Sequence, residues 1–528
     1  MSLEVYSGVW DEHLASHLLR RTMFGPTFQQ IQYANQKGME TVIDELLILP
    51  ASTLPLVVSD KETVVSQGKS WVDSPFPVSN PQETQGARNK SLAGWVFQNI
   101  SNESLSIHEK MTLFWQNHFA VEESSDARAT YYYYKLLRDN ALGNFKDLVK
   151  KITINPSMLQ FLNGNSNTKN SPNENYSREL LELFSIGKGE QVGEGDYTNY
   201  TESDIKEGAK ILTGWRIDGV QSSISTKVNA TFVASKHDTT TKNLSSRLGN
   251  KVVVNGNENE YANYIDILFE TDHAAQFICK KLYRWFVNYA ITPDVQATVI
   301  NPMVQLLLFH NYELKPVVRA LLTSAHFYEV TNRGTIIKNP IELVFSMLNS
   351  TGSKISYTTP INYDFYSQLG DICAVMGMNY FRPPNVGGWP AYYQAPNYTK
   401  LWINSSYINL RFLISSVLTL TENFKSKVDK TKSWQIDLIA FIQGLSSPSD
   451  PVQLIDDFAL IFCAKGLSIE AKVKLKSILT NGLPDFEWSV QYADYLKNPS
   501  DLAMKQALLF RVGLTLDSLF KLPEFQTI

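Results

Sequence analysis

The chain has few cysteines, few charges and no long apolar run, and each shortage closes a class of function. Cys279, Cys373 and Cys463 are the only cysteines in 528 residues. They are far apart and odd in number, which excludes a disulfide framework and a CxxC metal knuckle. Each stands in an apolar helical setting and is expected to be a buried, inert core thiol. Charged residues make up 19% of the chain and the formal net charge is -4, so no broad electrostatic grip on nucleic acid or an anionic membrane is expected. No apolar stretch reaches the roughly 20 residues of a transmembrane helix. The first residues, Met1 to Tyr6, lack the basic segment and apolar stretch of a signal peptide. The sequence as given therefore reads as cytoplasmic, or as exported if a signal peptide has been removed. P-loop, GxGxxG, HExxH and EF-hand patterns are missing too, as is any internal repeat, so the sequence names no metal and no cofactor.

What is present is helical periodicity, with 43% hydrophobic residues to feed a large core. Residues 11–23 and 27–48 read as amphipathic helices separated by Gly25-Pro26. Ser106-Ile107-His108-Glu109 has the spacing of a capping box and opens a helix carrying Trp115 and His118. Thr201-Glu202-Ser203-Asp204 is a second, weaker box. Further helical patterns cover 127–140, 145–154, 258–289, 293–309, 315–325, 340–350, 361–377, 404–422, 433–444, 451–465, 468–481 and 499–521. Strand signals are confined to 216–234 and Lys251-Val252-Val253-Val254. The expected fold is mainly α, a multi-helical globular array with a small β-rich insertion around 213–256. Residues 51–88, broken by Pro75, Pro77 and Pro81, and the Asn/Ser-rich 163–172 read as surface loops. The composition shifts near 425, which suggests a main helical domain over 1–425 and a C-terminal helical subdomain over 426–528.

The densest polar cluster runs from Asn173 to Phe184, between Pro172 and Gly187. Leu180, Leu183 and Phe184 face a core, while Asn175, Glu179 and Glu182 share another face. Glu179 and Glu182 could supply an acid/base pair or hold a divalent cation through water. Equally, Arg178 stands four residues before Glu182 at ion-pair spacing, and the cluster could be a satisfied Arg/Asn/Glu network. Glu174, in the first turn, is favoured there by the helix dipole alone.

Three other constellations carry candidate chemistry. His118 ends its helix and could serve as a general base, a metal ligand or a helix cap, against a plain role inside the helix packing. His237-Asp238, with Lys242 four residues on, falls in a loop after the strand signals and beyond Trp215. The segment from Phe381 to Pro390 contains Arg382, Pro383, Pro384, Asn385, Gly387, Gly388 and Trp389, a rigid loop rich in rings and directed donors. Such a loop suits a sugar or another polar small molecule, with Trp389 as a stacking face and Arg382 as a fork. It is expected to meet Asn173 and Glu174 in the main pocket. The opposing reading buries the same rings beneath the loop.

Taken together, these segments resemble the DUF1800 family, bacterial proteins of unknown function. The resemblance rests on His17 to Gly25, Trp115-Gln116-Asn117-His118-Phe119, Asn173 to Gly187, Tyr197-Thr198, Leu212-Thr213-Gly214-Trp215, His237-Asp238 to Lys242, Ser324-Ala325-His326-Phe327, Arg382 to Pro390 and Leu522-Pro523-Glu524-Phe525-Gln526. It implies no activity and transfers no catalytic residue; it does imply a partner protein encoded nearby. Many members carry histidine where this chain has Phe184 and lysine where it has Gly387. Two functions are weighed. The favoured one is a helical binding or scaffold protein with a polar ligand pocket. The alternative is a carboxylate/histidine hydrolase, using His118, Glu174, Glu179, Glu182, His237 and Asp238, that acts on a sugar or other polar small molecule.

Overall fold

The computed structural model describes residues 3–420 and 424–528, and 55% of the chain is helical. The fold is mainly α, as expected. Among the described residues its sheets are two-stranded antiparallel hairpins; the largest pairs Trp215–Asp218 with Asn229–Phe232, and another pairs Lys242–Asn243 with Val252–Val253. Both lie in the expected insertion. Two more hairpins, at 191–197 and 424–434, lie outside it. The end of the helix expected over 404–422 falls partly outside the described residues, as do Met1 and Ser2; the helix runs Ser405–Leu420 as far as it is described.

Local chemistry explains where the helices begin. Asp11 accepts from the Leu14 amide at 2.9 Å to start Glu12–Thr22, and Arg20 and Arg21 sit in the last turn, where the dipole favours cations. Both guanidiniums are buried; Arg20 donates to the Leu460 and Ile461 carbonyls, which joins the first helix to the C-terminal region. One buried apolar cluster extends from Leu14 to Phe525. The Thr201–Asp204 capping box forms in full.

Five expectations need correction. The pattern over 433–444 is a strand, Ser433–Trp434, followed by a helix, Leu438–Gln443. Ser106 accepts from the His108 amide, but Glu109 does not fold back to complete a capping box: its carboxylate pairs with Arg138, and Glu103 caps the Glu109 amide instead. The pattern over 27–48 divides at Gly38, whose φ of 82° ends one helix and begins the next. The pattern over 258–289 is two helices, Glu260–Leu268 and His273–Phe286. Between them the Tyr312 hydroxyl donates to the Phe269 carbonyl at 3.0 Å, so a tertiary donor replaces a helical one. Finally, Pro81 is the first residue of a long helix, Pro81–Asn102, rather than part of a loop. Proline fits that position because its missing N–H would be unpaired there anyway.

The Pro81–Asn102 helix lies against Ile361–Val375 at close range. A Cβ on Gly94 would stand 2.5 Å from Tyr363, and one on Gly370 would stand 2.0 Å from the Phe97 ring. Each helix supplies a glycine where the other presents a ring. All three cysteines are free and buried, and burial pushes the Cys463 thiol up to about 12.

Candidate functional site

The C-terminal end of the His108–His118 helix, the His273–Phe286 helix and the 381–402 loop enclose one pocket. Asn117, His118, Lys281, Arg284, Tyr289, Gly387, Tyr393 and Tyr398 are among its lining residues, and none of the lining residues is acidic. His118 is 2% exposed, and its two ring nitrogens are both engaged. Lys281 Nζ donates to Nδ1 at 2.9 Å, so Nε2 carries the ring proton and donates to the Phe184 carbonyl at 3.1 Å. Lys281 has one further contact, at 3.5 Å, with the Leu183 carbonyl, and lies over the Phe277 ring. Arg284 donates to the Tyr289 carbonyl and stacks over Tyr398. Among the described residues neither cation has a carboxylate in ion-pair contact.

The electrostatic consequence is large. Enclosure by protein lowers Lys281 to about 7, with Arg284 adding to the effect. Burial, followed by the Lys281 charge, holds His118 well below the ordinary imidazole range. In the unfolded chain Lys281 keeps its proton up to an ordinary value of 10.5. Between pH 7 and 10.5 the unfolded state therefore binds more protons than the native state, so this group makes stability rise with pH across that window. Lys281→Met should flatten the rise in denaturation midpoints measured across that range. An unchanged pH slope in the variant would refute the assignment.

The acidic helix reaches the pocket through its far end. Asn173 caps Glu174–Glu179 by accepting from the Tyr176 amide at 3.1 Å, and its own amide group donates to the Leu162 carbonyl. Glu174 and Asn175 are exposed, and neither lines the pocket. After Glu179 the backbone changes to a π-helical turn, Leu180–Ser185, and it is this turn that aims the Leu183 and Phe184 carbonyls at Lys281 and His118. Arg178 does not pair with Glu182; it makes a two-pronged ion pair with Glu202, both contacts at 2.7 Å. Glu182 accepts from the Tyr200 hydroxyl at 3.1 Å, and burial and the neighbouring Glu182 charge raise Glu179. Both carboxylates are half-buried, and neither lines the pocket that holds His118.

His237 and Lys242 belong to a separate buried network. Glu260 receives both of them, His237 through Nε2 at 3.1 Å, together with the Gly256 amide at 3.0 Å. His237 Nδ1 meets the Thr213 carbonyl at 2.9 Å, and Asp238 turns its carboxylate to Thr240. Trp215 packs edge-on against Phe232 and Tyr261. This network ties the hairpins to the Glu260–Leu268 helix.

The 381–402 loop divides in two. Gly387, Tyr393 and Tyr398 face the pocket. Arg382 is instead held by Glu123, and Asn385 bridges the Gly387 amide and the Tyr393 hydroxyl. Trp389 is 1% exposed, so its ring has no open face; its backbone amide donates to Asn117 Oδ1 at 3.0 Å. Lys281 and Arg284 were not found by sequence reasoning. The available signal was a lysine four residues from both Phe277 and Trp285, a charge at core spacing in an apolar helix. Among the described residues there is no cluster of three or more metal-ligating side chains and no helix long and apolar enough to cross a membrane.

The model of the DUF1800 family, proteins of unknown function, matches residues 17–527, and the chain belongs to this family. No curated protein and no solved structure gives a match.

Proposed function

We propose that this chain is a helical binding protein whose pocket, between His118, Lys281 and the 381–402 loop, takes a small polar molecule carrying an anionic group. The observation that supports this most is the charge balance of the pocket. It contains two cationic side chains, a histidine and several tyrosines, without one carboxylate. Cations that have lost water and found no carboxylate are ready to pair with an anion from outside. The tyrosine rings supply flat faces with polar tips for the rest of the ligand. Arg284 is the fork that reads the anion, and the rigid loop keeps the ordering cost low. The hydrolase alternative receives no comparable support, because Glu179 and Glu182 lie off this pocket.

Calorimetric titration with glycolate and glucuronate, against glucose as the neutral control, tests the reading. The acids should bind and glucose should not. Arg284→Met should weaken the acids by about tenfold to a hundredfold, the equivalent of losing one hydrogen bond to a charged group. Equal binding of acid and neutral ligands, or no loss in the variant, would overturn it.

A further inference from the structure

We infer that Lys281 is a nucleophilic amine, and that the pocket captures small aldehydes or ketones bearing an anionic group by forming an imine with its Nζ. This rests on the proposed anion pocket and deepens it. The geometry comes first. Lys281 lines the pocket one helical turn from Arg284, and the hydrogen-bond partners of its Nζ are a histidine nitrogen and a backbone carbonyl. A lysine serving only to balance charge would be found beside a carboxylate, whereas this one lies beside a second cation. Enclosure and a neighbouring cation are the two arrangements that keep an amine neutral and reactive near neutral pH, and the lowering of Lys281 to about 7 agrees with both.

His118 is placed to handle the proton. Its Nδ1 accepts from Lys281 Nζ at 2.9 Å while Nε2 is anchored on the Phe184 carbonyl. The free amine adds to the carbonyl carbon, forming a C–N bond as the C=O electron pair moves onto oxygen. One proton of the attacking nitrogen passes through Nδ1 to that oxygen and gives a neutral carbinolamine. The second nitrogen proton follows the same route to the hydroxyl group, which leaves as water as the nitrogen lone pair forms the C=N bond. Amine and carbonyl compound give imine and water, with no change of oxidation state, and water reverses the capture. Arg284 would hold the anionic group of the same molecule.

The test uses the full chain at pH 7 with glyoxylate, an aldehyde acid, and cyanoborohydride, which reduces an imine to a stable secondary amine. Peptide mapping should place the mark on Lys281 about a hundredfold faster than on surface lysines, whose ordinary pKa near 10.4 leaves them almost wholly protonated. Lys281→Met should lose the mark. Glycolate, which has the charge but no carbonyl group, is titrated alongside. If glycolate binds and the mark spreads evenly over surface lysines, the imine proposal fails and the anion pocket stands. If glycolate does not bind and Lys281 is unmarked, both fail. Mapping on the native chain keeps the test decisive even if the variant does not fold.

Discussion

Glu260→Ala should lower the stability of the fold by about 3–5 kcal/mol, the usual consequence of leaving a buried charge without its partner. Lys242, His237 and Glu260 are all buried, and the Glu260 carboxylate is shared by the Lys242 ammonium, His237 Nε2 and the Gly256 amide. Removal strands the Lys242 ammonium with the Asp238 carbonyl and a carboxylate 3.8 Å away. The hairpins would lose their tie to the Glu260–Leu268 helix. Denaturant unfolding of the variant measures the loss directly, and an unshifted midpoint would refute the network's structural role. Glu260→Gln is the companion variant. It keeps the shape and one acceptor oxygen, so its loss should be smaller.

The second large effect is expected at Gly388. Its φ is +84°, and an added Cβ would stand 2.4 Å from Asn117 Oδ1 and 2.5 Å from the Asn117 carbonyl oxygen. One obstacle is backbone, which cannot rotate away. Gly388→Ala should therefore cost about 2–5 kcal/mol from strain and overpacking together. It should also abolish glycolate binding, because Asn117 immediately precedes His118 and seats the loop through the Trp389 amide. Gly387→Ala is the control. That residue meets only the ends of the Asn385 and Tyr393 side chains, and its stability should stay within about 1 kcal/mol of the native value. Melting curves of the two variants that coincide would refute this account. The contrast lies in the backbone: that of Gly387 admits a side chain, and that of Gly388 does not.

The helical class was legible because periodicity and capping are local. Asp204 three residues after Thr201 is enough to start a helix wherever the chain goes next. The break at 269–272 was not legible, since the donor that causes it, Tyr312, comes some forty residues later. Pro81 was misread for a related reason: the same residue stops a helix from inside and starts one at its first position. In the pocket, His118 stood out as a histidine at a helix end. Lys281 did not, because its meaning depends on lacking a carboxylate, and an absence in space leaves no trace in sequence. Arg178 and Glu182 had correct local spacing, yet Glu202 offered Arg178 two oxygens at once. A two-pronged partner from another helix prevails over a one-pronged neighbour.

The π-helical turn at Leu180–Ser185 has a consequence for how this chain tolerates change in length. Such a turn holds one residue more than an α-helix would over the same rise. Deleting one residue from it would restore ordinary winding and leave the segment that follows nearly in place. The turn itself would change, and the Leu183 and Phe184 carbonyls would no longer point at the amine and the imidazole. The residue count of the turn is therefore fixed by the two hydrogen bonds it delivers.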